Sequence, residues 1–456
     1  MASPQVNAIY CGDCKEVLHQ YIPDNSIDLI YADPPFFSNR PHEIIWGDGY
    51  ELRAFEDRWK GGIQNYVAWM EDKLRECERI LKKTGTIYLH CDWHAGHYLK
   101  VKTDQIFQER LINEIVWKRT SAHTGEGIVR SYGAVHDTIL MYAKTDDYKF
   151  HPQYVSLDKG YVERSYRRAD KNGRKYTSSD LTGAGVRHGE TGKSWRGIDP
   201  TKIGRHWAFP PARLEELAKE GRILFPKKTS GIPRFKRYLD EMRGQLLQDV
   251  WTDISPIGAA AAERLGYPTQ KPEKLLERII NVSSDPMDII LDPFCGCGTA
   301  IAVAHRLGRR WIGIDVSPTA CKLMAARMRK MHLSIQDKDI IGLPKTLEEI
   351  KAMQPFEFQN WVMQKLQARI SKTMIGDMGI DGWTLDNRPI QVKQSEGIGR
   401  NVVDNFETAL VRAKKKGGII VALSFGKGAY EEAARAKMEQ GVEIELKTVA
   451  DILEQQ

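Results

Sequence analysis

No apolar run in the 456 residues approaches the roughly 18 needed to cross a membrane, so no membrane span is expected. The first residues, MASPQVNAIYCGDCKE, have no basic stretch followed by an apolar one, so no secretory signal is expected either. There are only seven cysteines, an odd number and widely scattered, which argues against a disulfide framework and for a reducing cytoplasm. The pairs Cys11/Cys14 and Cys295/Cys297 lack the matching second pair of a zinc site. His90-Cys91-Asp92-Trp93-His94 with His97 is denser in ligand types, but it ends an apolar run, and its plainer reading is a strand end packing on a helix. Internal repeats and long low-complexity tracts are also missing, which removes solenoids and disordered chains.

What is present describes a globular chain of two or three domains, 41% hydrophobic and 28% charged. Its net charge of +7 is unevenly spread. Residues 151–250 hold 21 Lys or Arg against 12 Asp or Glu, a net of +9, which leaves −2 for everything else. A basic segment between near-neutral ones marks a place where a polyanion can dock.

Strand-like and helix-like stretches alternate over 1–150, as in Ile27–Tyr31, the amphipathic Tyr66–Leu81 and Gly85–Leu89. They alternate again over 263–335, with Ile289–Asp292, Ala300–Leu307 and Trp311–Asp315. That alternation predicts α/β architecture with parallel, doubly wound sheet. The intervening 151–262, rich in Gly, Arg, Lys, Tyr and Trp, reads as loops and short ribbons. A polar connector follows at 336–354, and a third block from 355 to 456 has strands at 389–394 and 418–424.

Two motifs carry chemistry. Asp292-Pro293-Phe294-Cys295-Gly296-Cys297-Gly298-Thr299 lies between an apolar strand and a helix, where glycines let backbone approach a ligand without Cβ interference. The next strand ends in Asp315, suited to accept hydrogen bonds from ribose hydroxyls, as in dinucleotide folds. Asp33-Pro34-Pro35-Phe36 also follows an apolar strand. Methylating an exocyclic amine requires its lone pair to point at a sulfonium methyl. The Asp33 carboxylate and the Pro34 carbonyl can accept the two N–H bonds. Pro35 brings no competing N–H, and the Phe36 ring can stack a base flipped out of a duplex.

These motifs, in this order and with a basic segment between them, resemble the β class of DNA amino-methyltransferases. Gly12-Asp13-Cys14, Val135–Tyr142 and Tyr267–Pro272 extend the resemblance over about 7–330. The resemblance implies a Rossmann-like methyltransferase sheet with S-adenosylmethionine as cofactor. Asp13 would meet the cofactor's adenine, and Asp292, Phe294, Gly296, Gly298 and Thr299 its methionine side. Lys271 would sit near its carboxylate and Asp315 would hold its ribose. Asp33, Pro34, Pro35 and Phe36 would be catalytic. Residues 1–150 would form the catalytic half and 263–335 the cofactor half. The region 151–262 would be a target-recognition insert contacting double-stranded DNA, with Arg164, Arg167, Arg168, Arg205 and Arg234 all open as base readers. An Asp at the head of the catalytic motif is typical of N6-adenine enzymes and a Ser of N4-cytosine enzymes, so Asp33 favours adenine.

In the third block, Gly376-Asp377-Met378-Gly379-Ile380-Asp381-Gly382 precedes Pro389-Ile390-Gln391-Val392-Lys393. Strand alternation puts Gln391 and Lys393 on one face. Asp381, Gln391 and Lys393 together suit Mg²⁺-assisted phosphodiester cleavage. With Phe356-Glu357 and Ile419–Leu423, the block resembles the Mrr-like endonuclease domain, a PD-(D/E)xK relative with restriction-endonuclease-like α/β fold. That resemblance implies Asp381 and Glu357 as metal ligands. The whole reads as a single-chain restriction–modification protein of prokaryotic or phage origin, its oligomeric state open and a homodimer among the options. The alternative is an N4-cytosine methyltransferase with a non-cleaving, DNA-binding C-terminal domain. A methylation-dependent DNA-binding protein with a vestigial catalytic half and an RNA or protein-glutamine methyltransferase are the further rivals.

Overall fold

The computed structural model describes residues 3–37, 41–45, 51–56, 62–120, 132–226, 231–258, 261–267, 269–370 and 379–454. Contacts divide the chain into two units, one of 1–151 with 249–456 and the other of 152–248.

The first unit is built on a mixed sheet of eight strands. These are β1 (Ala8–Cys11), β2 (Ile27–Ala32), β3 (Leu81–Cys91), β4 (Leu111–Lys118), β5 (His136–Ala143), β6 (Val250–Trp251), β7 (Ile289–Asp292) and β8 (Arg310–Asp315). Their order across the sheet is β1-β8-β7-β2-β3-β5-β4-β6. Every residue of β2 and β7 is buried, as expected of central parallel strands covered on both faces. They pair in parallel, Leu29 beside Ile290 and Ile30 beside Leu291. The doubly wound sheet is parallel as expected except at β5, which is antiparallel to both β3 and β4. Successive strands β4 and β5 pair directly with each other, a relation that only antiparallel geometry permits without a crossover.

Helices α1 (Cys14–Tyr21), α2 (Gly62–Ile80), α3 (Gly96–Ile106), α4 (Glu273–Ser283), α5 (Thr299–Arg306) and α6 (Pro318–Lys330) cover this sheet. In α2 the buried stripe is Tyr66, Val67, Met70, Lys73, Leu74, Cys77 and Ile80, a 3–4 spacing that would be wholly apolar but for one lysine. Tyr66, Met70, Leu74 and Ile80 join Ile30, Leu89, Leu291 and Ile312 in the main core.

Further along the same unit lie α7 (Pro355–Lys365), α8 (Arg400–Arg412) and α9 (Lys427–Arg435), with a second sheet. Its strands are β9 (Arg369–Ile370), β10 (Gly382–Trp383), β11 (Pro389–Lys393), β12 (Gly417–Ala422) and β13 (Glu443–Thr448), lying in chain order. The step from β11 to β12 to β13 is parallel. Alternation along β12 sends Ile419 and Val421 into a core with Phe358 and Trp361, and Ile420 into one with Phe406 and Leu410.

The second unit has a four-stranded antiparallel sheet ordered Ile223–Leu224, Arg234–Tyr238, Lys175–Asp180, Arg168–Ala169. Its own small core holds Leu181, Trp195, Trp207, Leu214, Leu217 and Ile223. Among the described residues, no helix is long and apolar enough to cross a membrane.

Candidate active site

Strands β2 and β7 are neighbours, and both end at the same edge of the sheet. The turns that follow them, Asp33–Phe36 and Pro293–Thr299, therefore open onto one cavity of about 920 Å³. It is lined on one side by Asp13, Trp69, Lys73, Phe294, Gly296 and Asp315, and on the other by Asp33, Pro34, Phe36, Trp117, Asp137 and Lys271.

On the glycine side, Asp292 is buried and its Oδ1 accepts from Phe294 N at 3.0 Å. Burial pushes its carboxyl well above the usual range, and the charges of Asp33 and Asp315 add to that. The Asp315 carboxylate joins the glycine turn to the start of α6. Its Oδ2 accepts from Gly296 N and its Oδ1 from Ser317 N, both at 2.8 Å. Burial pushes Asp315 up to about 6, against those two backbone donors. Gly296 has φ 52° and Gly298 φ 79°, both left-handed. A Cβ on Gly296 would lie 3.0 Å from the Tyr267 ring, and one on Gly298 3.0 Å from Met324. Thr299 lines the cavity, but its hydroxyl accepts from Arg327 Nη1 at 3.1 Å. Asp13 caps α1 by accepting from Lys15 N at 2.9 Å and pairs with Lys73 Nζ at 3.0 Å.

On the proline side, Lys271 Nζ donates to Asp33 Oδ2 at 2.6 Å and stands 4.8 Å from the centre of the Phe36 ring. Asp33 Oδ1 is buried and accepts no hydrogen bond among the described residues. The Pro35 carbonyl is occupied by the Tyr66 hydroxyl at 2.7 Å. Beneath Phe36 lies fully buried His90, its ring 5.5 Å away. His90 Nδ1 shares a hydrogen bond with Tyr31 OH at 2.7 Å, and Nε2 one with Asp137 Oδ2 at 3.2 Å. Burial works against the Asp137 anion, yet the His90 hydrogen bond and the charges of Lys271 and Arg119 hold its carboxyl below the usual range.

The histidine-rich stretch does not converge. His90 points inward, while His94 turns back on Asp92 at 2.7 Å and stacks under exposed Trp93. Among the described residues the one carboxylate or imidazole group tight enough for a metal is Asp404, Glu407 and Glu432. Two of its three carboxylates are already paired, Glu407 and Glu432 with Arg435, and Glu432 also with Arg400.

In the third block, Gly376-Asp377-Met378 falls outside the described residues, as does Pro268 in the loop before α4. Asp381 Oδ2 accepts from Val392 N at 2.7 Å, which ties it to the strand carrying Gln391 and Lys393. Gln391 is buried and its Oε1 accepts no hydrogen bond among the described residues. Lys393 is half-buried. Glu357 and Asp381 line a second cavity of about 780 Å³. The Glu357 carboxyl, however, is turned to Thr319 of α6, whose hydroxyl donates to Oε2 at 3.5 Å. Burial and the nearby Asp315 charge push it up to about 8.

The structure thus brings together Asp13, Asp33, Pro34, Pro35, Phe36, Lys271, Asp292, Phe294, Gly296, Thr299 and Asp315 around one cavity. The sequence reading missed Trp69, Lys73 and Asp137 as parts of its lining, and His90 as the ring behind Phe36. A signal existed for Lys73, because a buried lysine inside an otherwise apolar helical stripe needs an anionic partner. Asp137 lies in the Val135–Tyr142 stretch that carries part of the resemblance, but no local pattern marks its contact with His90.

Residues 27–326 match the DNA methylase family and residues 350–454 the restriction endonuclease family. The first match spans well over half of the chain, so the protein belongs to the DNA methylase family, with a restriction endonuclease region at its C-terminal side. The chain is 32% identical over 305 residues to the Type II methyltransferase M.EcaI of Enterobacter cloacae, covering 66% of this chain and 64% of that protein's length. It is 27% identical over 344 residues to the Type II methyltransferase M.HinfI of Haemophilus influenzae, with coverage of 74% and 72%. Among solved structures, the cytosine-N4-specific PvuII DNA methyltransferase aligns over 74% of this chain and 90% of its own, at 16% identity and a TM-score of 0.40.

Because left-handed backbone costs an L-residue roughly 1–2 kcal/mol, and Tyr267 blocks the added carbon, Gly296→Ala should lower the unligated protein's stability by at least that much. The denaturant midpoint followed by tryptophan fluorescence measures it, and an unchanged midpoint would refute the strain ascribed to this turn.

Proposed function

We propose that the chain transfers a methyl group from S-adenosylmethionine to N6 of an adenine flipped out of double-stranded DNA, and that its C-terminal region cleaves DNA with Mg²⁺. The observation that carries the first part is the meeting of the Asp33 and Gly296 turns in one cavity. Membership of the DNA methylase family supports it.

The cavity suits the cofactor in size, within the roughly 300–1,000 Å³ of ordinary ligand sites, and in its glycine turn, which a Cβ would close. Asp315 would hold the ribose, Asp13 the adenine end, and the backbone after Asp292 the methionine end. Bound there, the cofactor supplies a methyl group on a positively charged sulfur. Asp33 Oδ1, buried with no hydrogen bond to accept among the described residues, would accept one N–H of the target amine. With the Pro35 carbonyl taken by Tyr66, the Pro34 carbonyl is the acceptor for the other. Those two bonds aim the lone pair across the cavity. Phe36, backed by His90, gives the base a ring to lie on. Positioning of this kind supplies most of the rate, since a neutral amine needs no strong base.

Adenine is favoured by Asp33 at the head of the catalytic motif. In the target-recognition region, taken as 151–262 between a catalytic half at 1–150 and a cofactor half at 263–335, Arg164, Arg167 and Arg168 are exposed. Arg205 is spent on Thr182 Oγ1 at 2.7 Å and Arg234 on Asp180 at 2.8 Å. The first three are therefore the better candidates for phosphate and base contacts. After a linker at 336–354, residues 355–456 would form the nuclease. There Asp381 and Gln391 Oε1, which accepts no hydrogen bond among the described residues, would hold Mg²⁺, which supplies Lewis-acid charge at the scissile phosphate, and Lys393 would offset developing negative charge.

Asp33→Ala should cut methyl transfer to DNA at least about 100-fold while leaving cofactor affinity in place. Radiolabel incorporation and calorimetry measure the two. Chromatography of the digested product should give N6-methyladenine; N4-methylcytosine would move the target to the other base, and no label at all in wild-type DNA would end the reading.

Cofactor binding should tighten as pH rises through about 6, because only the deprotonated Asp315 accepts from both ribose hydroxyls. Dissociation constants measured from pH 5 to 8 should show this midpoint in the wild type and lose it in Asp315→Asn.

Mg²⁺-dependent cutting of unmethylated DNA should disappear in both Asp381→Ala and Lys393→Ala. Cutting that survives either change removes that residue from the mechanism.

A further inference from the structure

The Lys271 ammonium is buried, and sequence resemblance alone would send it to the cofactor's carboxylate. In the fold it lies against the proline turn. It donates to Asp33 Oδ2 at 2.6 Å, makes a longer contact with the Thr269 carbonyl at 3.4 Å, and lies 4.8 Å from the Phe36 ring centre. One cation therefore touches both groups that would hold the target base. A carboxylate turns easily about its last bond, and which oxygen faces the cavity is undefined unless something fixes the other. Here Lys271 fixes Oδ2, and Oδ1 is left buried, accepting no hydrogen bond among the described residues. The neighbouring imidazole does not take over that oxygen, because His90 Nδ1 is 4.0 Å from it and already bonded to Tyr31 OH. The same ammonium, set against Phe36, restrains the ring through cation–π attraction.

We infer that Lys271 is a positioning residue for methyl transfer, pinning Asp33 Oδ2 so that Oδ1 alone meets the target amine and steadying Phe36 beneath the base. This rests on the functional reading above. It requires no contact between Lys271 and the cofactor, which separates it from the role that resemblance suggests. The anions on the cofactor side have other partners: Asp13 has Lys73, and Asp315 has the backbone N–H groups of Gly296 and Ser317.

The test uses the full chain and an oligonucleotide bearing whichever site the wild type is found to modify. Lys271→Met keeps the length of the stem and removes the charge, and Lys271→Arg keeps the charge. S-adenosylmethionine affinity is measured by calorimetry, and the methyl-transfer rate in a single turnover at saturating cofactor. Misplacement of a reacting group by about 1 Å costs on the order of 100-fold. Lys271→Met should therefore slow transfer by about that factor with cofactor affinity within threefold of wild type, and Lys271→Arg should recover at least a tenth of the rate. In an Asp33→Asn background, which retains the shape of the side chain, Lys271→Met should cost less than threefold more, because both residues act through one contact. Cofactor affinity that falls tenfold or more, with the saturated rate near wild type, overturns the inference and returns Lys271 to the cofactor. So does a Lys271→Met enzyme unchanged in both measurements, or one whose loss is as large with Asp33→Asn as without it. Thermal melting of each variant identifies simple unfolding, and Lys271→Arg then carries the test. A wild type that transfers no methyl group to DNA defeats the functional reading itself, and this inference with it.

Discussion

The parallel pairing of β2 with β7 is the constraint on which the site depends. Leu29 beside Ile290 and Ile30 beside Leu291 put the ends of both strands at one edge of the sheet. From that edge the chain departs in opposite directions, after β2 toward β3 and after β7 toward β8. Such a reversal of strand order leaves a crevice between the diverging connections, and ligands of open α/β sheets bind there. The register is held by burial. Ile30, Leu291 and Ile312 sit in one core, and every residue of β2 and β7 is buried. The energy that positions Asp33 against Lys271, 238 residues away, is thus ordinary side-chain packing in the strands beneath them.

The parts of the site that could be read from sequence are those whose geometry is local. A proline-rich acidic turn or a glycine turn after an apolar run has its shape written into four to eight consecutive residues, and Asp33–Phe36 and Asp292–Thr299 both lie where that shape predicts. Asp315 was legible for the same reason, as the last residue of a strand. What could not be read depends on contacts distant in sequence. Asp137 matters because β5 lies next to β3 and brings it to His90, and the antiparallel direction of β5 was itself not foreseen. His90 was noticed, but as one of a local cluster, whereas its partners Tyr31 and Asp137 come from two other strands. Lys271 stood out in sequence only through resemblance, and its contact with Asp33 is set by tertiary packing that no local pattern encodes.

In the C-terminal region the same distinction holds more sharply. The alternation that gives β11 its two faces is local, and the tie between Asp381 and Val392 N follows from the hairpin joining β10 to β11. The direction of Glu357 is not local at all. It sits in the first turn of α7, and the packing of that helix on α6 turns its carboxyl toward Thr319 instead of leaving it to the nuclease strands alone. A motif that names a residue type and spacing does not encode which neighbour a helix will face.

The charges around the main cavity suit the cationic cofactor proposed for it. Lys73 answers Asp13 and Lys271 answers Asp33. Asp292 and Asp315, both pushed up by burial, receive only backbone N–H donors among the described hydrogen bonds and ion pairs. A buried carboxylate with no cation beside it is costly, and that cost is what raises both carboxyls above their usual range. A positively charged sulfur and an ammonium brought into that space would offset the cost and drive both groups toward their charged forms, the forms that accept hydrogen bonds from hydroxyls. Glu357 belongs to the same field, since the Asp315 charge is one of the causes that raise it. The ionisation of Asp315 is therefore felt on both sides of α6, by the ligand cavity and by the first turn of the helix that opens the endonuclease region.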